Sequence, residues 1–311
     1  MNKDNESCWL NSCMQMMLSA LDHSRNPIES NSSLMNTLKH YAVQDFSNVL
    51  DPKPIRNILM GAERNRILSE NIQPENRLFH YYGTLSQNSE ELKHMSENRI
   101  GQQDCKDFFV CLQQNKECWM DCFNMFKFKT TNYSKCSSCG YESRNNYLVE
   151  QSFLMIDAPT EDTTINQLIN SRINNPEIRE GWRDEDGCGQ VSDCLNFTRF
   201  DLEEFEFLTL IVNRLGVAQN GNLEINRKKI AVADTISLKA NNGENLTYKP
   251  IAVIHHIGQV IGNDTRGHYM ADILDKQSNS WIQTSDDCPP KQLHNPTDEG
   301  YIYLFQRSHS N

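Results

Sequence analysis

Two residues in this chain can together make an activated nucleophile, Cys8 and His268. Cys8 lies in Ser7-Cys8-Trp9-Leu10-Asn11-Ser12-Cys13-Met14, where Ser7 is a favoured helix N-cap. Leu10, Met14, Met17, Leu18 and Leu21 then recur at the spacing of one buried helix face. A thiol in the first turn of a helix meets the positive end of the dipole and unsatisfied backbone N–H groups, and both favour the thiolate. A buried structural cysteine has the same local signature, so a base elsewhere must decide between the two. Among nine histidines, His268 stands out in Gly267-His268-Tyr269-Met270-Ala271, at the start of an apolar strand after a loop over 262–267. A neutral imidazole beside a thiol is the pair that thiol acyl transfer needs, and a third polar group on the other ring nitrogen fixes the tautomer. Candidates for that group follow in Trp281-Ile282-Gln283-Thr284-Ser285-Asp286-Asp287, on a strand expected to run antiparallel to the first.

Two smaller constellations carry chemistry of other kinds. Cys136-Ser137-Ser138-Cys139-Gly140 sits in a polar turn between two apolar stretches, with the spacing of a zinc knuckle. Asp104 and Asp107 are three residues apart at the start of a helical pattern, which places both carboxylates on one face. That face is either a solvated acidic surface or a site for a basic ligand.

The elements that must position these residues fall into two halves. From Cys8 to about residue 120 the signals are helical, with helical periodicity over 34–50 and 55–68 and Asp51-Pro52 and Pro54 between them. Residues 84–98 are polar and read as a loop or an exposed helix, and another helix begins near Gly101. Near residue 122 the apolar period changes to two, which predicts a strand through Phe123, Met125, Phe126 and Phe128, and a second strand is expected from Tyr147 to Ile156. Residues 159–187 are polar and broken by Asn174-Asn175-Pro176 and Asp184-Glu185-Asp186-Gly187. Strands are then expected over 205–212, 223–232, 248–257, 268–274, 281–284 and 301–306. No internal repeat is present. A helical half facing a half of antiparallel strands is an α+β arrangement, with a natural cleft between them.

Bulk properties narrow the function classes. The 311 residues carry a formal net charge of −11, which argues against a phosphate backbone as partner, so no nucleic acid is expected. No apolar run approaches the roughly 20 residues needed to span a bilayer, so no membrane association is expected. Eleven cysteines, an odd number in a long chain, fit a reducing compartment rather than a disulfide scaffold. With no signal peptide ahead of Cys8, the expected location is intracellular, cytoplasmic or nuclear. So short a lead before Cys8 suggests a domain taken from something longer.

Taken in order, the motifs resemble those of the ubiquitin-specific proteases, the papain-like cysteine deubiquitinases. Cys8-Trp9-Leu10-Asn11-Ser12 with Gln15 is similar to that family's cysteine box, and Gln102-Gln103-Asp104-Cys105-Lys106-Asp107-Phe108 to its Gln-Gln-Asp helix. Leu210-Ile211-Val212-Asn213-Arg214-Leu215 resembles its strand ending in Lys-Arg-Phe. His256-Ile257-Gly258, Gly267-His268-Tyr269-Met270-Ala271, Trp281 and Asp286-Asp287 resemble its histidine box, and Tyr301-Ile302-Tyr303-Leu304-Phe305 its closing strand. The set runs in family order through nearly the whole chain.

The resemblance implies one catalytic domain over 1–311, with a helical thumb to about 120, fingers over about 121–200 and an antiparallel-β palm over about 201–311. It implies a thiol isopeptidase that cleaves after the Gly-Gly end of ubiquitin on lysine side chains or in polyubiquitin, with no cofactor for catalysis. Cys8 would be the nucleophile and His268 the general base and acid. Ser285, four residues after Trp281, would orient His268 with Asp286 in support, or Asp286 would orient it if the loop carries one extra residue. The family's oxyanion asparagine would fall on Lys3, which leaves Asn2 and Asn5 as candidates beside the backbone N–H groups. Gln103, Asp104, Asp107 and Tyr269 would bind the basic ubiquitin tail. A structural zinc in the fingers would take Cys136, Cys139 and Cys188, with Cys194 or Glu185 as fourth ligand. The Cys-Trp-Leu start also resembles a SUMO-cleaving branch, so SUMO or another ubiquitin-like protein is an alternative substrate. A ubiquitin-binding pseudo-protease is the non-enzyme alternative.

Overall fold

The computed structural model describes residues 8–25, 32–42, 53–70, 72, 104–116, 118–143, 148–174, 177–183, 188–200, 205–217, 223–240, 243–261, 264–285 and 288–308. Five helices come first: α1 (Cys8–His23), α2 (Ser33–Ala42), α3 (Lys53–Glu70), α4 (Cys105–Gln114) and α5 (Met120–Phe126). Strands β1 (Phe128–Cys136), β2 (Glu142–Ser143), β3 (Leu148–Gln151), β4 (Leu154–Asp157) and β5 (Thr163–Thr164) lead to α6 (Ile165–Asn174). After it come β6 (Glu177–Arg183), β7 (Val191–Phe200), β8 (Phe207–Asn213), β9 (Leu215–Val217), β10 (Leu223–Ile225) and β11 (Ile230–Ala231). The chain closes with β12 (Ile236–Lys239), β13 (Asn245–Ile261), β14 (Asp264–Asp275), β15 (Ser280–Ser285), β16 (Cys288–Leu293) and β17 (Gly300–Ser308).

Two sheets organise most of these strands, while β9 pairs with β10 and β5 with β11 in two-stranded ladders. The larger has eight strands in the order β16-β15-β14-β13-β17-β8-β4, with β12 also paired to β13. Its pairs are antiparallel except β4 with β8. The smaller runs β2-β1-β7-β6, with β3 also on β1. Strand β8 is buried from Phe207 to Val212 without alternation, as a central strand covered on both faces must be.

Helix α1 packs against α2 and α4 and against β13 and β14 of the large sheet. This position explains a departure from the expected single apolar face. Trp9, Cys13 and Met16 are buried as well as Leu10, Met14, Met17 and Leu18, while Leu21 is only partly covered. A helix enclosed on several sides is apolar nearly all round.

Other expectations are corrected. Residues 120–126 form α5, not a strand: Cys122, Phe123 and Phe126 are buried together, a helical stripe that a short apolar run does not separate from period two. The polar stretch 159–187 contains α6, whose Ile165, Leu168 and Ile169 are buried at helical spacing, and strand β6. The single strand expected over 147–156 is two, β3 in the small sheet and β4 in the large one. Fully buried Ser152 marks the switch, where its backbone N and its Oγ donate to Gln113 Oε1 at 2.8 and 3.1 Å. Likewise, the strand expected over 223–232 divides into β10 and β11. Strand β16 appears despite Pro289 and Pro290, which an edge position tolerates because those residues owe the ladder no donor. The loop and exposed-helix expectation for 84–98 lies outside the described residues. No helix among the described residues is long and apolar enough to cross a membrane.

Candidate active site

Cys8 is the first residue of α1 and is 1% exposed, set among the N–H groups of the opening turn. The proposed cap, Ser7, lies outside the described residues, as do Asn2 and Asn5. Below it, α1 and α4 are tied through sulfur: Cys105 Sγ donates to Trp9 O at 3.3 Å and Cys13 Sγ to Cys105 O at 3.5 Å. Burial pushes the Cys105 thiol well above its ordinary range, so it stays protonated and structural.

His268 lies within β14 rather than at its start, because the β13–β14 ladder continues to Ile261 and Asp264. Its Nε2 is 2.8 Å from Ser285 Oγ on β15. With the proton assigned to Nε2, the ring donates to the hydroxyl and Nδ1 is left as the basic nitrogen. The sheet register accounts for this meeting. Ala271 pairs with Thr284, so Ser285 and His268 are diagonal neighbours across the β14–β15 ladder. Asp286, the alternative orienting group, lies outside the described residues. Gly267 is required beside this histidine: a Cβ there would stand 2.2 Å from His256 Nε2 and 2.6 Å from Ile257 O.

Of the acidic pair, Asp104 lines a pocket bounded also by Arg214, His256, Tyr269, Glu299 and Tyr301. Asp104 caps α4, its Oδ1 accepting from Lys106 N at 2.9 Å, and the same oxygen accepts from Tyr301 OH at 2.7 Å. Asp107, on the next turn, has its carboxyl pushed up to about 7, first by burial and then by the charge of Asp104. Tyr269 is buried, its ring 4.7 Å from that of His256 and 6.3 Å from that of Tyr301. Gln103 lies outside the described residues. Sequence reasoning missed the anchors behind this wall. Buried Arg214 donates from Nε to Gly300 O at 2.8 Å and from Nη1 to Asn226 O and Lys228 O at 3.0 and 2.8 Å. Arg227 donates from Nη1 to His256 O at 3.0 Å and pairs with Glu299 at 3.3 Å. The arginine in the Asn213-Arg214-Leu215 motif was the only available signal for the first; nothing local marked the second.

At the far end of the small sheet, the sulfurs of Cys136, Cys139 and Cys188 lie within 4.8 Å of one another. The Cys136 thiol is held down to about 7 by hydrogen bonds from the Ser192 hydroxyl and the Cys139 backbone N–H. Cys194 pairs with Cys136 in register, but its thiol donates to Asn196 Oδ1 at 3.5 Å and it does not join the cluster. Three thiols at this spacing suit three corners of a tetrahedral zinc site.

A family model described as ubiquitin carboxyl-terminal hydrolase matches residues 2–305. A sequence search of curated proteins returns no match. Among solved structures, the fold is similar to that in the SAGA Ubp8/Sgf11/Sus1/Sgf73 DUB module bound to ubiquitin aldehyde, with a TM-score of 0.66 and 14% identity over 100% of this chain and 69% of that one. The same module bound to monoubiquitin gives 0.64 and 14% over the same shares, and the yeast module with a mutant Sgf73 gives 0.61 and 14% over 98% and 67%. At such identities the structural likeness speaks for the fold alone, whereas the family model spans nearly all of the sequence that builds the site. The chain belongs to the ubiquitin carboxyl-terminal hydrolase family.

Proposed function

We propose that this hydrolase cleaves the bond after the C-terminal glycine of ubiquitin, on lysine side chains or in polyubiquitin, through an acyl-enzyme at Cys8. The observation that carries the residue roles is the 2.8 Å contact of His268 Nε2 with Ser285 Oγ, on a strand packed against the helix that Cys8 begins. His268 Nδ1 takes the thiol proton, and the Cys8 sulfur attacks the glycine carbonyl carbon. The tetrahedral oxyanion is met by backbone N–H groups at the start of α1. His268 then returns the proton to the leaving lysine amine, leaving a thioester. Water, deprotonated by the same ring, attacks the thioester carbonyl and releases the ubiquitin carboxylate and the free thiol.

The tail would run past Tyr269 between α4 and the large sheet. Because Asp104 Oδ1 already accepts two hydrogen bonds, Oδ2 is the oxygen it offers to a tail arginine. An arginine arriving beside Asp107 would stabilise its carboxylate and draw a proton off it. In the small sheet, which we read as the fingers, Cys136, Cys139 and Cys188 would hold zinc as a structural clip, with the fourth position left to another donor; Glu185, the other candidate for it, lies outside the described residues. The test is hydrolysis of a fluorogenic ubiquitin C-terminal amide. Turnover that disappears in Cys8→Ala and in His268→Ala supports the assignment; turnover that survives in Cys8→Ala rejects it.

A further inference from the structure

Behind the catalytic histidine, on the same face of β14, lies a carboxylate with no solvent exposure at all. Asp272 is 0% exposed, and a buried carboxylate is costly unless its oxygens are occupied. Here they are: Oδ1 accepts from Gln283 Nε2 at 3.0 Å and Oδ2 from the backbone N of Thr297 at 2.8 Å. His255 Nδ1 is a further 3.8 Å neighbour of Oδ2, outside hydrogen-bond reach, and burial favours the neutral form of that ring. The carboxylate thus grips β15 on one side and the segment leading into β17 on the other.

The register gives this grip a consequence. Asp272 is directly opposite Gln283, and on the same face Ser285 lies two residues further along β15 and His268 four residues further along β14. Strand β15 has weak support from its outer side. Its ladder with β16 shifts register between Gln283 and Ser285, and Pro289 and Pro290 in β16 donate nothing. The placement of Ser285 therefore depends on how firmly β15 is held to β14.

We propose that Asp272 is a positioning residue for His268: by holding Gln283 it fixes β15 on β14, and with it the distance at which Ser285 meets the imidazole. This rests on the reading of His268 as the catalytic base. Asp272 touches neither substrate nor reacting atoms and acts through Gln283 and Ser285.

The test is a double-mutant cycle on the fluorogenic ubiquitin amide, with Asp272→Asn and Gln283→Leu each made alone and together with Ser285→Ala. Each single variant is expected to lower kcat on the order of 10-fold with KM unchanged, the size of a small misplacement at a catalytic group. In the Ser285→Ala background the same changes are expected to cost less than about twofold, because the contact they support is already gone. Equal losses in both backgrounds, a rise in KM at constant kcat, or an unchanged kcat in the Ser285→Ala single variant would each overturn the proposal. If Asp272→Asn does not fold, Gln283→Leu decides, since it leaves the carboxylate with Thr297. Full turnover by Cys8→Ala would instead overturn the catalytic reading beneath it.

Discussion

His268 Nε2 and Ser285 Oγ meet at 2.8 Å as diagonal neighbours on adjacent antiparallel strands, so the sheet itself sets the orientation of this imidazole. A hydroxyl can fix the tautomer of an imidazole but stabilises its charged form less than a carboxylate does. Ser285→Ala should therefore lower kcat by about 10- to 100-fold, leave KM nearly unchanged and leave folding intact. Steady-state kinetics checks this, and an unchanged kcat would mean that another group orients the ring.

Tyr301 OH donates to Asp104 Oδ1 at 2.7 Å and so fixes which carboxylate oxygen faces the pocket. Removing the hydroxyl in Tyr301→Phe should cost about 1.5–3 kcal/mol of stability, the range for a hydrogen bond to a charged group. It should raise KM for a ubiquitin substrate several-fold while kcat holds. A fall in kcat at constant KM would place Tyr301 in the chemistry instead of the binding wall.

Asp107 gives a pH dependence whose sign is fixed. Its carboxyl titrates near 7 when folded and near 3.8 in the unfolded chain, so between those values the folded state holds the extra proton. Stability contributed by this group is present below about 4, declines as pH rises, and is lost above about 7. Asp107→Asn removes that loss: the variant should gain on the order of 1–3 kcal/mol over the wild type at pH 8 and nothing at pH 4. Urea unfolding at the two pH values measures the difference, and a gain equal at both would refute the assignment.

The cysteine cluster predicts bound metal. Purified protein should contain one zinc per chain by elemental analysis, and Cys139→Ser should lose it and lower Tm by about 5–10 °C. Protein that folds in the presence of zinc yet carries none would show that the three thiols are only neighbours.

Much of the site was legible because its parts are local. A cysteine opening an apolar helix and a glycine before His268 need no tertiary information, and the count of four from Trp281 to Ser285 comes from the family resemblance. The structure brings His268 and Ser285 together across one strand pair. What was not legible depends on contacts between distant segments. Nothing around Ser152 announces that the chain changes sheets there, since the break is stabilised by Gln113 from α4. Residues 120–126 have too few positions to distinguish a helical stripe from alternation. The partner of Asp104 is a tyrosine on the last strand, and that of Asp272 a glutamine read only as part of the segment after Trp281. Cys194 was placed with the other cysteines by spacing, but its thiol turns to Asn196.

The central claim is that the Cys8 sulfur attacks the carbonyl at the end of ubiquitin. The most direct measurement is reaction of the folded protein with ubiquitin carrying a C-terminal electrophile, followed by peptide mass spectrometry of the adduct. A single covalent adduct at Cys8 is expected, absent in Cys8→Ala and slowed in His268→Ala. Modification of a different cysteine at the same rate, or none in protein that binds ubiquitin, would contradict it.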